Sequence, residues 1–323
     1  MSLEFGDINA ITNAFYMAKF RQVAFDKNIL LMKAHKAGEL APSGEYIKVP
    51  LKYQFNKAAS YFPWEKHDMS GENQITSAKF NWKFYVATLI FSGEEILKNE
   101  GPHGIKKLIE AKLSLAQDGI REEMANDLFT RGSSATGDSS RGLTSLYQMV
   151  QSTTAAGLGG TGNVYGGINK STDGATWWQG KVTKAGTGGT YEELEHAQQL
   201  YKIFDGDTRP GLIVSDMDTL YLHFKENVDR QRYVGAKSLD QGWVGDSFLG
   251  IPWIGDRHCH ADDIFHLNFD EFKLMTHTKR NFKLMPYMVP DDQDVQSSRI
   301  YWAGETTCSD CRRNGIYQIN TTS

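Results

Sequence analysis

Two cysteines near the C-terminal end of the chain have the spacing of metal ligands. Cys308 and Cys311 are separated by two residues, and the run Arg257-His258-Cys259-His260 lies upstream. Thiolates and imidazoles at such spacings occupy corners of a zinc tetrahedron, provided that the fold brings residue 258 close to residue 308. The alternative is that both thiols fall in a tight turn of a protein kept in a reducing compartment. We predict no bound metal, and a zinc site formed by Cys308 and Cys311 with His258 or Cys259 stays the open alternative.

A glycine-rich stretch matches the pattern of a dinucleotide-binding loop. Residues 157–162 follow G-x-G-x-x-G, which holds a pyrophosphate only when a strand precedes the loop and a helix begins at it. The residues that follow, 163–169, include two further glycines and an asparagine at each end, and they are not a helical sequence. We therefore predict a surface loop and no nucleotide cofactor.

No arrangement of catalytic residues stands out elsewhere in the sequence. It contains neither the H-E-x-x-H pattern of zinc proteases nor the G-x-S-x-G pattern of serine hydrolases. The acidic pairs Asp262-Asp263 and Asp291-Asp292 lack the glycine and terminal glutamate of a calcium loop, so we predict solvated turns there. These observations predict a protein without catalytic residues and without a cofactor.

Composition and charge narrow the class of protein. Of the 323 residues, 40% are hydrophobic and 12% are aromatic, which indicates a folded chain of one large domain or two smaller ones. The 35 basic and 39 acidic residues give a net charge of -4, which argues against a surface coated in basic patches for nucleic acid. Three cysteines are too few for a disulfide scaffold. Neither a signal peptide nor a membrane-spanning run is recognisable, so we expect no membrane partner.

Two segments alternate between apolar and polar residues and predict a long antiparallel hairpin. In residues 44–55 and again in residues 78–90, every second side chain is apolar, which is the period of a strand with one solvated face. The even-numbered residues from Ala78 to Ile90 are predicted to share the apolar face. A two-stranded ribbon alone is marginal in water, so this face needs a partner. That partner is either the rest of the chain or a neighbouring subunit.

Aromatic residues mark the wide tip that joins the two predicted strands. Tyr61, Phe62 and Trp64 lie in a polar, turn-rich stretch, and Phe55 ends the first strand. The tip residues are explained either by local packing under the hairpin or by docking into another subunit, where aromatic anchors contribute much of the binding energy. Both explanations stay open, and we predict all four residues as candidate subunit-interface residues.

Residues 102–129 carry the clearest helical pattern. Apolar residues recur every three or four positions from Ile105 to Leu128, which gives one apolar stripe over about seven helical turns, roughly 40 Å long. Gly119 inside this segment costs about 1 kcal/mol relative to alanine, which does not break a helix of this length. The pattern predicts one long amphipathic helix with Pro102 in its first turn.

The remaining segments predict an arm, a middle region and a strand-rich end. Residues 8–40 have loose helical spacing, and residues 132–190 are rich in glycine, serine and threonine. The other predicted elements are helices at 190–204, with Thr190 as N-cap, and at 217–224, and strands at 212–215, 247–255, 263–269, 271–277, 281–288, 299–306 and 315–319.

The order of these elements resembles that of the major capsid proteins of tailed bacteriophages, which have the Hong Kong 97 type fold. The segments that carry the resemblance are Ile168-Asn169-Lys170-Ser171-Thr172 closely followed by Trp177-Trp178, Leu249-Gly250-Ile251-Pro252-Trp253-Ile254-Gly255-Asp256, Ile264-Phe265-His266-Leu267-Asn268 with Phe272-Lys273-Leu274, and Arg312-Arg313-Asn314-Gly315-Ile316. Each segment alone is weakly specific, whereas their order covers nearly the whole chain.

The resemblance implies an α+β fold with five parts. These are an N-terminal arm at 1–43, an extended hairpin loop at 44–92, a spine helix of the peripheral domain at 93–132, an axial domain at 133–250 and peripheral-domain strands at 251–323. It also implies a structural protein, not an enzyme, that self-assembles through pentamers and hexamers into an icosahedral shell around double-stranded DNA, held without sequence specificity. The expected partners are other copies of the chain, a portal, and separate scaffolding or decoration proteins. The expected location is the virion, after assembly in the host cytoplasm.

Three alternatives make different predictions. An encapsulin-type bacterial compartment shell has the same fold and encloses an enzyme rather than DNA. A zinc-stabilised nucleic-acid-binding module shows bound metal and a salt-dependent affinity for DNA. An enzyme with a glycine-rich active-site loop shows turnover as a folded monomer or dimer.

Overall fold

The computed structural model describes most of the chain. The described residues are 28–41, 44–54, 58, 60–67, 73–98, 102–131, 141–151, 164–170, 175–185, 191–204, 208–227 and 245–319. The helices are α1 (Ile29–Ala37), α2 (Gly93–Lys98), α3 (Pro102–Leu128), α4 (Leu146–Val150), α5 (Glu193–Ile203) and α6 (Met217–Asn227). The strands are β1 (Leu40–Ala41), β2 (Tyr46–Lys52), β3 (Ile75–Asn81), β4 (Lys83–Ser92), β5 (Val164–Tyr165), β6 (Ile168–Asn169), β7 (Lys181–Lys184), β8 (Leu212–Ser215), β9 (Gly245–Phe248), β10 (Ile251–Gly255), β11 (Asp263–Leu267), β12 (Phe272–His277), β13 (Lys283–Leu284), β14 (Val295–Cys308) and β15 (Gly315–Gln318).

The long helix α3 confirms the strongest prediction from the sequence. It runs without interruption from Pro102 to Leu128, through Gly119. The stripe predicted to be apolar is the buried face, namely Ile109, Leu113, Ala116, Ile120, Met124 and Leu128. This face packs on β4, so the helix covers one side of the sheet to which β4 belongs.

A five-stranded sheet forms the layer beneath α3. Its strand order is β1-β12-β14-β13, and β4 pairs with the other part of β14. The β4–β14 pair is antiparallel over ten residues, with Lys83 opposite Gly304 and Ser92 opposite Val295. Helix α1 packs against β12, and a side chain at Gly38 would bring a Cβ atom to 1.9 Å from the carbonyl oxygen of Leu274. Only glycine permits this close approach at the end of α1.

A second sheet of six strands, in the order β7-β15-β11-β8-β10-β9, has both faces covered. On one face the sheet packs with α5 and α6, where Ile213, Ile264 and Tyr317 meet Leu200 and Leu220. The alternate residues of the same strands, including Val214, Phe265 and Ile316, belong to the larger core on the other face. The predicted C-terminal segment 251–323 therefore supplies strands to both sheets.

The hairpin is shorter than predicted because the second strand is divided at Trp82. Strands β2 and β3 pair as expected, with Tyr46 opposite Asn81 and Lys52 opposite Ile75. The indole nitrogen of Trp82 donates to the carbonyl of Gly44 at 2.8 Å, and β4 then leaves the hairpin to pair with β14.

The prediction of one shared buried face is wrong beyond this break. Ala78 and Phe80 are buried on β3, but on β4 the odd-numbered residues such as Tyr85 are buried and the even-numbered ones such as Phe84 are exposed. The reason is that α3 and the core take the odd-numbered side of β4.

The single strand predicted at 247–255 is wrong, because β9 and β10 form an antiparallel hairpin around a turn at Leu249 and Gly250, which both have positive φ. Most other predicted elements differ from the structure mainly in their ends. Helix α5 begins at Glu193 after Glu192 as N-cap, and the predicted N-cap Thr190 lies outside the described residues. The strand predicted at 281–288 is reduced to Lys283–Leu284, whereas the strand at 299–306 extends to Val295–Cys308. Within the described parts of the chain, none of the helices combines the length and apolar character needed to cross a membrane.

Candidate assembly surfaces

The aromatic tip of the hairpin is exposed. The exposed fractions are 65% for Tyr61, 74% for Phe62 and 96% for Trp64. A turn presents these side chains, since the amide of Glu65 donates to the carbonyl of Phe62 at 3.0 Å and the amide of Phe62 donates to the carboxylate of Glu65 at 3.1 Å. Local packing under the hairpin therefore does not explain these three aromatic residues. The fourth candidate, Phe55, lies outside the described residues.

The base of the hairpin is fixed to the rest of the chain. The ring of Phe80 contacts that of Tyr165 with centroids 5.2 Å apart, and the rings of Tyr53 and Trp177 are also 5.2 Å apart. The amide of Lys79 donates to the carbonyl of Gly166 at 2.9 Å. Gly166 has a φ of +59°, and a Cβ atom there would lie 2.8 Å from the side chain of Ala78. The hairpin is thus held at its base, while the ring of Tyr61 at the tip contacts that of His67 in the same loop, with centroids 4.7 Å apart.

A second apolar surface lies on β4, on the side opposite α3. Phe84, Val86 and Ile90 are 60%, 54% and 50% exposed, and Met288, which bridges to Ser297 beside Ile90, is 70% exposed. We call these four residues the β4 face. Isolated apolar residues are normal on a protein surface, whereas neighbouring exposed apolar residues make the β4 face a candidate interaction site.

Positive charge surrounds the β4 face. The guanidinium of Arg280 lies 5.7 Å from the ring centre of Phe84 and 5.3 Å from that of Tyr301. Arg299 and Lys283 are exposed on the neighbouring strands. A cation over an exposed aromatic ring contributes about 0.5–1 kcal/mol, so Arg280 also holds the apolar rings in place. The surface suits a partner that offers apolar groups together with carboxylates.

Sequence reasoning placed the β4 face in the hairpin and so missed it. One signal was available, because residues 84–91 are apolar at nearly every position rather than at alternate ones. Such a run is typical of a strand that is covered on both faces. Among the residues that the structure describes, the buried face of β4 is the one that carries Tyr85, Leu89 and Phe91.

Of the candidate zinc ligands, Cys259, Cys308 and Cys311 are buried and His258 is partly buried. The imidazole of His258 lies between two carboxylates, with its Nδ1 atom 2.7 Å from Asp256 and its Nε2 atom 3.0 Å from Glu122. Cys259 directs its thiol to the carbonyl of Asp263, 3.6 Å away. Across the described parts of the chain, no three or more metal-binding side chains are grouped so that they could hold an ion. The glycine-rich motif at 157–162 lies outside the described residues.

Cys308 and Cys311 are both fully buried with reduced thiols. The amide group of Asn314 donates to the sulfur of Cys308 at 3.5 Å. Burial raises the pKa of the Cys308 thiol well above its usual range. These cysteines belong to the packing of the turn before β15.

A buried lysine closes the end of α4. The ammonium group of Lys170 donates to the carbonyl oxygens of Gln148, Met149 and Gln151 at 2.8, 2.7 and 3.1 Å. The last carbonyl groups of an α-helix need partners from outside the helix, and Lys170 supplies them here. Burial lowers the pKa of Lys170 to about 8, so the side chain remains a charged triple donor at neutral pH.

Asp263 connects the six-stranded sheet to α4 and to the end of α3. Its position also corrects another prediction. It was expected in a solvated turn, but it is 1% exposed. One carboxylate oxygen accepts from Arg131 and from the hydroxyl of Tyr147, and the other accepts from Gln318 at 3.0 Å. Its burial is possible because these partners come from distant parts of the chain and satisfy the charge.

Replacing Asp263 tests whether its buried hydrogen bonds stabilise the fold. Asp263→Asn keeps the size of the side chain but removes the charge that faces Arg131, so we expect the free energy of unfolding to fall by about 2 kcal/mol. Chemical denaturation measures the change. The neighbouring Asp262→Asn is the matched control, because Asp262 has a φ of +68° that asparagine tolerates, and it should change stability by less than about 0.5 kcal/mol. Equal effects of the two substitutions would contradict the assignment.

Comparison with solved structures identifies the type of fold. No protein-family model matches the chain, and no curated protein matches it in sequence. Among solved structures, the capsid asymmetric unit of cyanophage A-1(L) is similar with a TM-score of 0.68 at 16% identity, over 91% of this chain and 92% of that one. The capsid of an empty GTA particle is similar with a TM-score of 0.60 at 12% identity, over 88% and 96% of the two chains.

An encapsulin complex shares the same architecture. The holo-SrpI encapsulin complex from Synechococcus elongatus PCC 7942 is similar with a TM-score of 0.59 at 10% identity, over 100% of this chain and 98% of that one. All three similarities extend over nearly the full length of both chains. The chain therefore has the α+β fold of these shell proteins, the Hong Kong 97 type fold that the order of its elements predicted.

Proposed function

We propose that this chain is a major capsid protein that self-assembles through pentamers and hexamers into an icosahedral shell around double-stranded DNA. The observation that carries the proposal is β4, a strand with apolar residues on both faces, of which one is buried and the other is exposed in the described part of the chain. The phage-type fold over nearly the whole chain supports it. In this proposal the chain is structural and not an enzyme, and it is located in the virion after assembly in the host cytoplasm.

In this proposal, each subunit binds a neighbouring subunit through its hairpin. Its base is anchored by the contact of Phe80 with Tyr165, and its tip exposes Tyr61, Phe62 and Trp64. Burying one such aromatic side chain contributes about 1.5–3 kcal/mol. Each contact is modest, but a closed shell repeats it in every subunit, and the assembly is stable because the contacts add up.

The charge of the chain suits DNA that is enclosed without being bound tightly. A net charge of -4 leaves no general attraction for phosphate, although local basic residues exist. Packaged DNA is therefore a non-specific partner in this proposal. The other partners are a portal and separate scaffolding or decoration proteins.

An encapsulin-type compartment is the second candidate, because the encapsulin complex matches the full length of the chain. The contents of particles recovered from producing cells separate the two functions. Nuclease-protected double-stranded DNA supports the capsid. Particles that hold an enzyme and no DNA would instead support the compartment.

Charging the β4 face tests whether it is an assembly surface. We expect Val86→Lys with Ile90→Lys to raise the protein concentration needed for assembly at least tenfold, because the ammonium groups cannot be buried against an apolar partner and face Arg280 and Arg299. Sedimentation velocity measures the assembled fraction. The control is Val86→Ile with Ile90→Val, which keeps the apolar area. Assembly of the lysine variant at the wild-type concentration, with its fold confirmed by near-ultraviolet circular dichroism, would contradict the proposal.

A further inference from the structure

The exposed side of the five-stranded sheet extends the β4 face across the neighbouring strands. Residues that lie directly opposite each other on paired strands share one face of a sheet. Two such rows cross this side, the first formed by Val86, Tyr301 and Lys283 and the second by Ile90, Ser297 and Met288. The rows lie about 14 Å apart at the usual rise of a strand. They define a strip whose two ends differ in charge.

The end of the strip beside the first row is basic. The guanidinium of Arg280 lies 5.3 Å from the ring centre of Tyr301, and Lys283 is exposed in the same row. Arg299 is exposed on β14 between the two rows. None of these three cationic side chains forms an ion pair with another described residue. Their charges are therefore available to a partner that supplies carboxylates.

The end of the strip beyond the second row is acidic. The chain continues there through Val289, which is 61% exposed, into a turn that exposes Asp291 and Asp292. We call residues 291–294 the acidic turn. The amide of Gly93, directly after β4, donates to the carbonyl of Asp294 at 3.0 Å, which fixes the acidic turn at this end of β4. The carboxylates of Asp291 and Asp292 form no ion pair with any residue that the structure describes.

A strip with an apolar middle, one positive end and one negative end is complementary to itself. Rotation of a second copy by 180° about an axis along the row of Ile90 and Met288 brings the two apolar middles face to face. The same rotation reverses the strand direction, so the basic end of each copy lies opposite the acidic turn of the other. A parallel arrangement would instead place like charges together. Self-complementarity of this kind is what a two-fold contact requires.

We propose that the β4 face binds the β4 face of a second copy across a two-fold axis at Met288. Arg280 and Lys283 of each copy then face the acidic turn of the other. This inference rests on the proposed function, since it names the partner of one of the assembly surfaces. The strip covers roughly 300 Å² at the usual strand spacings, less than the ~800 Å² that each partner buries in a stable specific interface. The contact is therefore weak in isolated protein and joins subunits that other contacts also hold.

Cross-linking at the axis tests the pairing. In Met288→Cys the two introduced thiols face each other across sheets about 10 Å apart, so a short bis-maleimide should join two copies. The native cysteines are buried and are not expected to react, namely Cys259, Cys308 and Cys311. Lys283→Cys is the matched control, because it is also exposed on the strip but its two copies would lie more than about 25 Å apart. We expect at least tenfold more cross-linked dimer from Met288→Cys, and equal yields would overturn the proposal.

Charge reversal tests the register of the contact. Arg280→Glu with Lys283→Glu makes both ends of the strip acidic, and Asp291→Lys with Asp292→Lys makes both ends basic. In the Met288→Cys background, each pair of substitutions should lower the yield of cross-linked dimer at least tenfold, because like charges then face each other. An equimolar mixture of the two variants should recover the yield to within about threefold, because each then complements the other. All substituted side chains are exposed, and circular dichroism confirms the fold. A mixture that does not recover would contradict the register.

The two-fold contact and the shell function fail in different ways. Cross-linking of the full-length protein is measured on assembled particles and on concentrated soluble protein. Particles that yield no cross-linked dimer would overturn the two-fold contact and leave the shell function standing. Cross-linked dimers of a protein that forms neither rings nor shells would support the contact and contradict the shell function. Soluble protein that forms neither particles nor cross-linked dimers would contradict both.

Discussion

Replacing the aromatic tip of the hairpin with serine is expected to abolish shell formation and to leave the subunit folded. In the variant Tyr61→Ser, Phe62→Ser, Trp64→Ser, the lost side chains are at least 65% exposed, so the free energy of unfolding should change by less than about 0.5 kcal/mol. At about 1.5 kcal/mol for each burial lost, every subunit contact weakens by about 4.5 kcal/mol. This corresponds to more than a thousandfold increase in the concentration needed for assembly.

Light scattering across a concentration series measures this threshold, and calorimetry confirms the fold. Lys66→Ser changes an exposed residue in the same loop without removing an aromatic side chain, so it is the matched control and should assemble normally. Shells formed by the triple variant at the wild-type concentration would contradict the role proposed for the tip.

The largest expected loss of stability follows from Lys170→Met. Methionine fills a similar volume but leaves the carbonyls of Gln148, Met149 and Gln151 buried without their donor. Unsatisfied buried acceptors cost about 1–3 kcal/mol each before relaxation, so we expect the free energy of unfolding to fall by about 3–5 kcal/mol.

Chemical denaturation at pH 7 measures this effect. Lys48→Met is the matched control, because Lys48 is exposed on β2, and it should change stability by less than about 0.5 kcal/mol. If Lys170→Met were as stable as the control, the ammonium group would not be what satisfies the end of α4.

Local patterns predicted the elements whose partners lie close in sequence. The stripe from Ile109 to Leu128 repeats at the helical period, and α3 follows it almost to the residue. The pairing of β2 with β3 likewise follows from alternation on both sides of one loop. The order of the predicted elements was sufficient to predict the type of fold.

The features that local patterns did not predict depend on residues that lie far apart in the sequence. The alternation through residues 78–90 does not show that β4 leaves the hairpin at Trp82, because its partner β14 lies about 200 residues further along the chain. Asp263 was expected in solvent because its partners Arg131 and Tyr147 lie 132 and 116 residues away. The burial of a charged residue becomes visible only when the fold brings such groups together.

Sequence reasoning identified one of the two candidate assembly surfaces. Sequence reasoning identified the tip residues Tyr61, Phe62 and Trp64, because aromatic residues in a polar turn are conspicuous. It assigned Phe84, Val86 and Ile90 to the hairpin, although a run that is apolar on both faces already indicated a strand with two partners. The fold alone does not separate a virus shell from a bacterial compartment, since both are built from it.

Electron microscopy of the purified full-length protein tests the central proposal most directly. We predict closed particles tens of nanometres across, together with rings of five and six subunits. A folded single chain that forms neither rings nor shells, both when purified and in extracts of the cells that produce it, would contradict the proposal that this protein is a shell subunit.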